Sequence, residues 1–191
     1  MEEKQITVSP EAEEKTNRRL EAGFDWVGSA VTALIAVALI FALLFRVVSV
    51  DGASMSYTLT HGDRLLLSSF PYTPQRGDIV VITRDNSSPL IKRVIGVAGD
   101  RISIDGETGA VYRNGEKLDE PYIGGMMRDG TTPQNGMTEE ITVPKGMIFA
   151  MGDNRHDSLD SRMLGCLSLD NVVGKVLFRI APNPGKVTNG E

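Results

Sequence analysis

The chain has 191 residues and a mass of 20.7 kDa, enough for one compact domain and an additional segment. Its formal net charge is −5, and its Lys and Arg residues form no basic stripe, which argues against nucleic acid as a partner. Cys166 is the single cysteine, so the sequence excludes an internal disulfide and a zinc site built from cysteines.

The N-terminal part of the chain changes composition abruptly. Residues 1–25 are polar and carry charges of both signs, whereas the next twenty residues, up to Phe45, carry none. A helix of twenty residues is about 30 Å long, the thickness of a bilayer's hydrocarbon core. Trp26 and Arg46 at its ends are suited to the two membrane interfaces. We therefore predict a polar tail followed by a transmembrane helix over residues 26–48.

Two other structures are compatible with an apolar run of this kind. A buried core helix normally has a polar face, whereas this run offers only Ser29 and Thr32. A cleavable secretory signal has an apolar region of about 7–15 residues, which is shorter than the run found here. Four Lys or Arg residues lie within residues 1–25 and two within residues 46–70. The positive-inside rule therefore predicts a single span with a cytoplasmic N-terminus and an extracytoplasmic domain.

After the predicted span, the pattern is typical of β-strands. Short apolar runs are bounded by Gly, Pro, Asn or Asp, which predicts an all-β domain over residues 49–191. Asn114-Gly115 predicts a two-residue hairpin turn, because both positions require a positive φ. Residues 124–136 are interpreted as a flexible loop. The predicted strands are residues 64–69, 78–83, 90–97, 101–104, 110–113, 141–143, 147–151 and 172–180.

Lys92 is the first candidate for chemistry, because it lies in an apolar, strand-like run over residues 90–95. A lysine among apolar neighbours loses hydration, which disfavours the ammonium form and lowers the pKa from its usual value of about 10.4. A neutral amine can take a proton from a hydroxyl group, whereas an ammonium group cannot. The same pattern also allows Lys92 to extend from a strand edge into water while Arg93 pairs with an acid.

Ser54 is the candidate nucleophile nearest to the predicted span. An extended chain covers at most about 3.3–3.6 Å per residue, so Ser54 lies within about 30 Å of the membrane surface. Gly52 and Ala53 leave open space beside it, which suits a nucleophile that a substrate backbone must approach. An ordinary loop serine is compatible with the same local sequence.

A third candidate is the polar cluster over residues 152–162, which is dense in hydrogen-bonding groups. Its three aspartates would allow a calcium loop. The EF-hand pattern fails, however, because Arg155 occupies the third position and Ser158 stands where a glycine is needed. The cluster therefore predicts a network of hydrogen bonds in preference to a metal site.

Histidine and cysteine offer two further alternatives. A serine–histidine triad could use His61 or His156, the two histidines of the chain, but neither lies in a recognisable nucleophile motif. Cys166 lies close to Leu164 and Leu167, which indicates a small buried residue and not a nucleophile. The serine–lysine combination remains the favoured interpretation.

Taken in order after one N-terminal span, the three candidate segments closely resemble those of the type I signal peptidases. Residues 52–59 are similar to the family's nucleophile box, residues 90–100 to its lysine box and residues 152–162 to its C-terminal box. The resemblance covers about residues 26–180. It implies a mainly β fold, in which a single transmembrane helix precedes a catalytic domain with only a small insertion, over about residues 124–143. Shorter matches are Gly62-Asp63, Arg76-Gly77-Asp78 and Asn114-Gly115-x-x-Leu118-x-Glu120-Pro121-Tyr122-Ile123.

The resemblance assigns roles to individual residues. It implies that Ser54 is the nucleophile and that Lys92 is the general base and then the acid for the leaving amine. Gly52 stands where some relatives have a serine oxyanion donor, so the oxyanion hole relies chiefly on backbone N–H groups. The supporting residues implied are Ser158, which orients the Lys92 amine, Asp160 and Arg162, which form an ion pair on one side of an extended segment, and Asp153.

The resemblance also implies partners. Substrates of the family are secretory preproteins, bound as extended strands with small residues at the first and third positions before the cut. We expect membrane lipid as a further partner. We also expect a monomer that uses neither a metal nor an organic cofactor.

Two other functions compete with signal-peptide cleavage. Self-cleaving repressors of the DNA-damage response share the serine–lysine dyad, but the predicted span and the lack of DNA-binding helices count against them. A catalytically degenerate, membrane-tethered β domain that only binds a partner is supported by Tyr57 alone. Tyr57 stands where the family usually has Pro, which would fix φ near −65° and stiffen the turn after the nucleophile.

Overall fold

The computed structural model describes residues 10–85, 87–123 and 139–187. The chain divides into two units, the first ending at Leu43 and the second beginning at Leu44. A long helix, α1, spans Pro10–Leu44, and its apolar part, Gly23–Leu44, is long and apolar enough to cross a membrane. The apolar side chains of this part are not buried inside the protein, unlike those of a core helix.

The helix boundaries differ from the predicted ones at both ends. The predicted polar tail, residues 1–25, is helical from Pro10 onward, and residues 1–9 lie outside the described residues. The helix stops at Leu44, and the first strand, β1, spans Phe45–Ser49. Residues 45–48, which were assigned to the transmembrane helix, therefore form a strand, because their backbone groups pair with a second strand of the domain.

The second unit contains two antiparallel sheets. The larger has the strand order β1-β2-β11-β3-β4-β9-β10, with β12 beside β11, and the smaller has the order β7-β6-β5-β8. The strands after β1 are β2 (Arg64–Ser68), β3 (Ile79–Arg84), β4 (Ser87–Val97), β5 (Arg101–Ile104), β6 (Val111–Arg113), β7 (Glu116–Lys117), β8 (Ile141–Thr142), β9 (Met147–Met151), β10 (Leu167–Ser168), β11 (Val172–Ala181) and β12 (Gly185–Lys186). A short helix, α2, spans Ser161–Leu164, and 3-10 turns span Pro121–Ile123 and Leu169–Asn171.

The mainly β fold class is confirmed, and each predicted strand has a counterpart with ends that differ by at most a few residues. The hairpin at Asn114-Gly115 joins β6 to β7, with φ of 56° and 86° at the two turn residues. The flexible loop predicted over residues 124–136, and most of the small insertion predicted over residues 124–143, lie outside the described residues.

β4 is the central strand for the candidate site. Among the described residues, its first half pairs with β3 alone, and β9 joins its other edge from Arg93 onward. Alternation sends successive side chains to opposite faces. Ile91 packs on one apolar cluster, whereas Val94 belongs to another, so Lys92 and Arg93 also project to opposite faces of the sheet. Both side chains are buried.

Candidate active site

Ser54 and Lys92 are in direct contact. Lys92 Nζ lies 2.6 Å from Ser54 Oγ and donates to the carbonyl oxygen of Ile91 at 3.0 Å. Lys92 is held by the middle of β4, whereas Ser54 lies in a tight turn between β1 and β2, in which the Ser56 N–H donates to the Ala53 carbonyl oxygen at 2.9 Å. A hydroxyl group and an amine at this distance can exchange a proton directly.

The surroundings of Lys92 favour its neutral form. The residue is 1% exposed, and the loss of hydration lowers the pKa of its amine to about 8. The negative charge of Asp160 acts in the opposite direction, and the positive charge of Arg162 offsets part of that effect. With a pKa of about 8, roughly one amine in ten is neutral at pH 7. Lys92 can therefore serve as a base near neutral pH, which an exposed lysine cannot.

A loop after β9 holds the backbone around Ser54. The Asn154 N–H donates to the Ser54 carbonyl oxygen at 3.0 Å, and Asn154 Nδ2 donates to the Ala53 carbonyl oxygen at 3.1 Å. Gly152 is required at the same contact, because a Cβ there would lie 2.4 Å from the Ser54 carbonyl oxygen and 2.2 Å from Ser158 Oγ. The polar cluster predicted from the sequence thus packs against Ser54.

Asp153 connects this loop with β4 and with the nucleophile segment. Its carboxylate accepts from Arg93 Nε at 2.8 Å and from Arg93 Nη2 at 2.7 Å, and both side chains are fully buried. Thr58 Oγ1 donates to the same carboxylate at 2.5 Å. Thr58 was not singled out in the sequence, although it lies in the nucleophile box, four residues after Ser54. Asp153 therefore ties together the three segments that form the site.

Asp160 forms the ion pair with Arg162 that the resemblance implies, whereas Ser158 is bonded differently. Asp160 accepts from Arg162 Nε and Nη2, both at 2.8 Å, but it does so as the N-cap of α2 and not from an extended segment. Ser158 Oγ donates to Asp160 Oδ2 at 2.7 Å, and the expected hydrogen bond to the Lys92 amine is not found among the described residues. A buried carboxylate is the stronger acceptor for this hydroxyl.

Asp160 is ionised in this setting. Its burial would raise the pKa of the carboxyl group, but the hydrogen bonds and the charge of Arg162 outweigh that effect and hold the pKa below its usual value. The Gly152 N–H also donates to Asp160 Oδ2, at 2.9 Å. The Asp160 carboxylate is therefore an anion that stabilises the loop packed against Ser54.

The alternative candidates are placed differently. His61 and its neighbour Asp51 are largely exposed, and His61 Nδ1 accepts from the Gly52 N–H at 3.3 Å. His156 is exposed, and Cys166 is half-buried, with a pKa raised by burial. Within the described ranges, no three or more His, Cys, Asp or Glu side chains are grouped so that they could hold a metal ion.

Tyr57 has an unusual backbone. Its φ is +86°, in the left-handed region, and its side chain is 57% exposed. A proline, fixed near φ −65°, could not adopt this conformation. The turn after Ser54 therefore differs from one built around proline.

Comparisons with known proteins identify the family of this chain. A family model described as "Signal peptidase, peptidase S26" matches residues 23–181. Signal peptidase I of Bacillus licheniformis is 35% identical over 178 residues, covering 89% of this chain and 95% of the relative. Signal peptidase I T of Bacillus subtilis is 35% identical over 189 residues, covering 95% of each. Signal peptidase IB of Staphylococcus aureus is 31% identical over 172 residues, covering 83% and 89%. The resemblance inferred from the sequence is thereby confirmed, and the chain belongs to the signal peptidase family, peptidase S26.

Proposed function

We propose that this protein removes signal peptides from secretory preproteins as a serine endopeptidase, with Ser54 as the nucleophile and Lys92 as the general base. The observation that carries the proposal is the 2.6 Å contact between Ser54 Oγ and a buried Lys92 amine whose pKa is lowered to about 8. Family membership supplies the reaction class, because the relatives are signal peptidases. The intact dyad counts against the rival function of a domain that only binds.

The chemistry follows from the two side chains. The neutral Lys92 amine takes the proton of the Ser54 hydroxyl while Oγ attacks the carbonyl carbon of the scissile bond. The resulting ammonium group then gives this proton to the leaving amine, which departs as the C–N bond breaks and the acyl-enzyme ester forms. A water molecule hydrolyses the ester, with Lys92 again acting as the base. In this second step a proton of the water passes through Lys92 to Ser54 Oγ as the ester bond breaks, which regenerates the hydroxyl group and the neutral amine.

The negative oxygen of the tetrahedral intermediate needs hydrogen-bond donors. The Gly52 N–H already donates to His61 Nδ1, and glycine brings no hydroxyl group to this position. We assign the backbone N–H of Ser54 as the principal donor.

An extended substrate has a place to bind beside the dyad. Leu90 and Ile91 pair with β3 on one edge, and β9 joins the other edge only from Arg93 onward. Within the part of the chain that the structure describes, no strand pairs with that second edge of residues 87–92. A peptide could add there as a strand, which would place its backbone next to Lys92. Small residues at the first and third positions before the cut are the specificity that we propose.

The membrane arrangement belongs to the same proposal. We place α1 across the membrane with its N-terminus in the cytoplasm, because residues 1–25 carry four Lys or Arg residues whereas residues 46–70, on the other side of the apolar part, carry two. The catalytic domain, as a monomer, then acts at the extracytoplasmic surface, where signal-peptide cleavage sites emerge.

The test is cleavage of a preprotein by the full-length protein in detergent. Wild-type protein should release the mature product, whereas Ser54→Ala, Lys92→Ala and Lys92→Arg should each be inactive yet folded, because an arginine in place of Lys92 stays protonated. The single and double variants of the dyad should be equally inactive, since the two residues act as one unit. Substantial cleavage by Ser54→Ala would rule out the mechanism, and an inactive wild-type protein would favour the binding-only rival.

A further inference from the structure

The segment Glu120-Pro121-Tyr122 contacts the candidate site. It follows the β6–β7 hairpin and forms a 3-10 turn over Pro121–Ile123. Its two polar side chains meet two buried arginines: Arg155 in the loop after β9, and Arg93 on β4. Both arginines are bonded in turn to groups that hold the nucleophile.

Glu120 forms a buried ion pair with Arg155. Arg155 Nη1 donates to Glu120 Oε2 at 3.1 Å and Nη2 donates to Oε1, and the two side chains are 1% and 6% exposed. Arg155 Nε also donates to the Gly152 carbonyl oxygen at 3.0 Å, and the Arg155 carbonyl oxygen accepts from Arg162 Nη1 at 2.7 Å. Glu120 is therefore the anionic partner that holds Arg155 across the loop.

Tyr122 provides a second connection. Its hydroxyl donates to Glu120 Oε1 at 2.9 Å, and the guanidinium carbon of Arg93 lies 3.9 Å from the centre of its ring. A cation over an aromatic face is attracted most strongly where water is excluded. Arg93 binds Asp153 with two hydrogen bonds, so the ring packs against the same ion pair that holds Thr58.

Both connections end at the loop over residues 152–155. The same loop bonds to Ser54 and Ala53 through Asn154, and it presents Gly152 against the Ser54 carbonyl oxygen. A buried ion pair contributes little net stability compared with apolar residues of similar volume, but breaking one is costly. The Glu120–Arg155 pair is therefore expected to fix the position of this loop more than to stabilise the fold.

We propose that Glu120 and Tyr122 are positioning residues for peptide-bond cleavage, which hold the loop over residues 152–155 against Ser54. This inference rests on the Ser54–Lys92 dyad proposed above. If the loop loosens, Ser54 Oγ moves away from Lys92, and water reaches the amine. The pKa of Lys92 would then rise from about 8 toward its ordinary value.

The first test is Glu120→Gln in the full-length protein, assayed in detergent on a preprotein or a peptide with a small-x-small motif. We expect kcat to fall about ten-fold or more with KM nearly unchanged, since small displacements of reacting groups are costly. The rise of kcat/KM with pH should move to higher pH. Glu116→Gln is the matched control, because Glu116 is an exposed carboxylate on the same hairpin and should behave as wild type.

Three further variants distinguish a positioning role from a role in folding. Glu120→Gln leaves Arg155 buried without its carboxylate partner and can unfold the protein, whereas Glu120→Leu with Arg155→Met removes both charges together. This double variant should remain folded, as judged by its thermal transition, and show the same loss of kcat. Tyr122→Phe keeps the ring over Arg93 and should retain most activity, whereas Tyr122→Leu should not.

The outcomes distinguish this inference from the function on which it rests. If Ser54→Ala is inactive while the folded double variant has the kcat, KM and pH profile of wild type, the positioning role is overturned and the dyad stands. If Ser54→Ala remains active, the dyad itself fails, and the positioning role fails with it. Glu120→Asp, which keeps the charge, should recover part of the activity lost in Glu120→Gln.

Discussion

The backbone N–H of Asn154 donates to the carbonyl oxygen of Ser54 at 3.0 Å, across 100 positions of the chain. Ser54, the proposed nucleophile, is therefore held by a loop that follows the ninth strand, and not by its own neighbours alone. This contact leaves no room for a side chain at Gly152, whose added Cβ would lie 2.4 Å from the same carbonyl oxygen.

We expect Gly152→Ala to inactivate the enzyme selectively. The φ of Gly152 is not in the left-handed region, so the effect of the substitution is crowding alone. Crowding at Ser54 and Ser158 should lower kcat/KM about 100-fold and destabilise the fold by about 1–3 kcal/mol. Gly106→Ala is the control, because its added Cβ would have no atom within 4 Å. Wild-type kinetics in Gly152→Ala would contradict the geometry described for this contact.

The pH dependence of cleavage should report the amine of Lys92. Only the neutral amine acts as a base, so kcat/KM should rise with pH and level off above an apparent pKa of about 8. The measurement is a pH–rate profile between pH 5.5 and about 9.5 on a peptide that does not itself titrate in this range. An activity that is already constant from pH 6 upward would exclude Lys92 as the base.

Replacing the buried amine should stabilise the protein while abolishing catalysis. The pKa of Lys92 is lower in the folded state than the ordinary 10.5, so the folded state carries an electrostatic cost below pH 8 that disappears above pH 10.5. Lys92→Met should therefore be more stable than wild type at pH 7 by about 3 kcal/mol at most. Thermal unfolding of both proteins at pH 7 and pH 10 tests this. The stability difference between Lys92→Met and wild type must shrink as the pH rises. A difference that stays constant would contradict the lowered pKa of Lys92.

Tyr57 should respond to substitution according to its φ of +86°. Glycine adopts this conformation without strain, so Tyr57→Gly should not destabilise the turn through its backbone and can relieve about 1 kcal/mol of strain. Tyr57→Pro, which restores the residue usual in the family, should instead lower both stability and activity, because proline cannot reach a positive φ. Thermal unfolding and kcat/KM of both variants provide the measurement. A fully active, stable Tyr57→Pro would show that the turn adopts another conformation.

The anchor should position the catalytic site without taking part in the chemistry. A protein that begins at Leu44 retains all of β1, which starts at Phe45, so it should cleave a soluble small-x-small peptide nearly as well as the full-length protein. On a membrane-inserted preprotein it should be much slower, because a shared membrane raises the effective concentration of the two reactants. An equal loss on both substrates would mean that the anchor supports the fold.

A protein that begins at Val50 is the matched comparison. It lacks β1, which pairs along its whole length with β2, and should therefore lose activity on both substrates. If both truncated proteins retained equal activity on the soluble peptide, β1 would have no part in maintaining the site.

Local sequence patterns determined the apolar helix and the longer strands of this protein. Hydrophobicity predicted the N-terminal apolar helix, and short apolar runs bounded by turn residues predicted the longer strands, because burial on a sheet leaves a repeating pattern in the chain. The strands β10 and β12, of two residues each, are too short to carry such a pattern. β1 was assigned to the helix because its valines suit a membrane span and a strand equally well.

Only the tertiary structure decided how the site residues contact one another. Ser54 and Lys92 are 38 positions apart and Glu120 and Arg155 are 35 apart, and their contacts depend on the register of strands that no local pattern specifies. The hydrogen bond from the Ser158 hydroxyl to Asp160 likewise depends on the tertiary structure. A hydroxyl group bonds to the strongest acceptor within reach, and folding determines which acceptor that is.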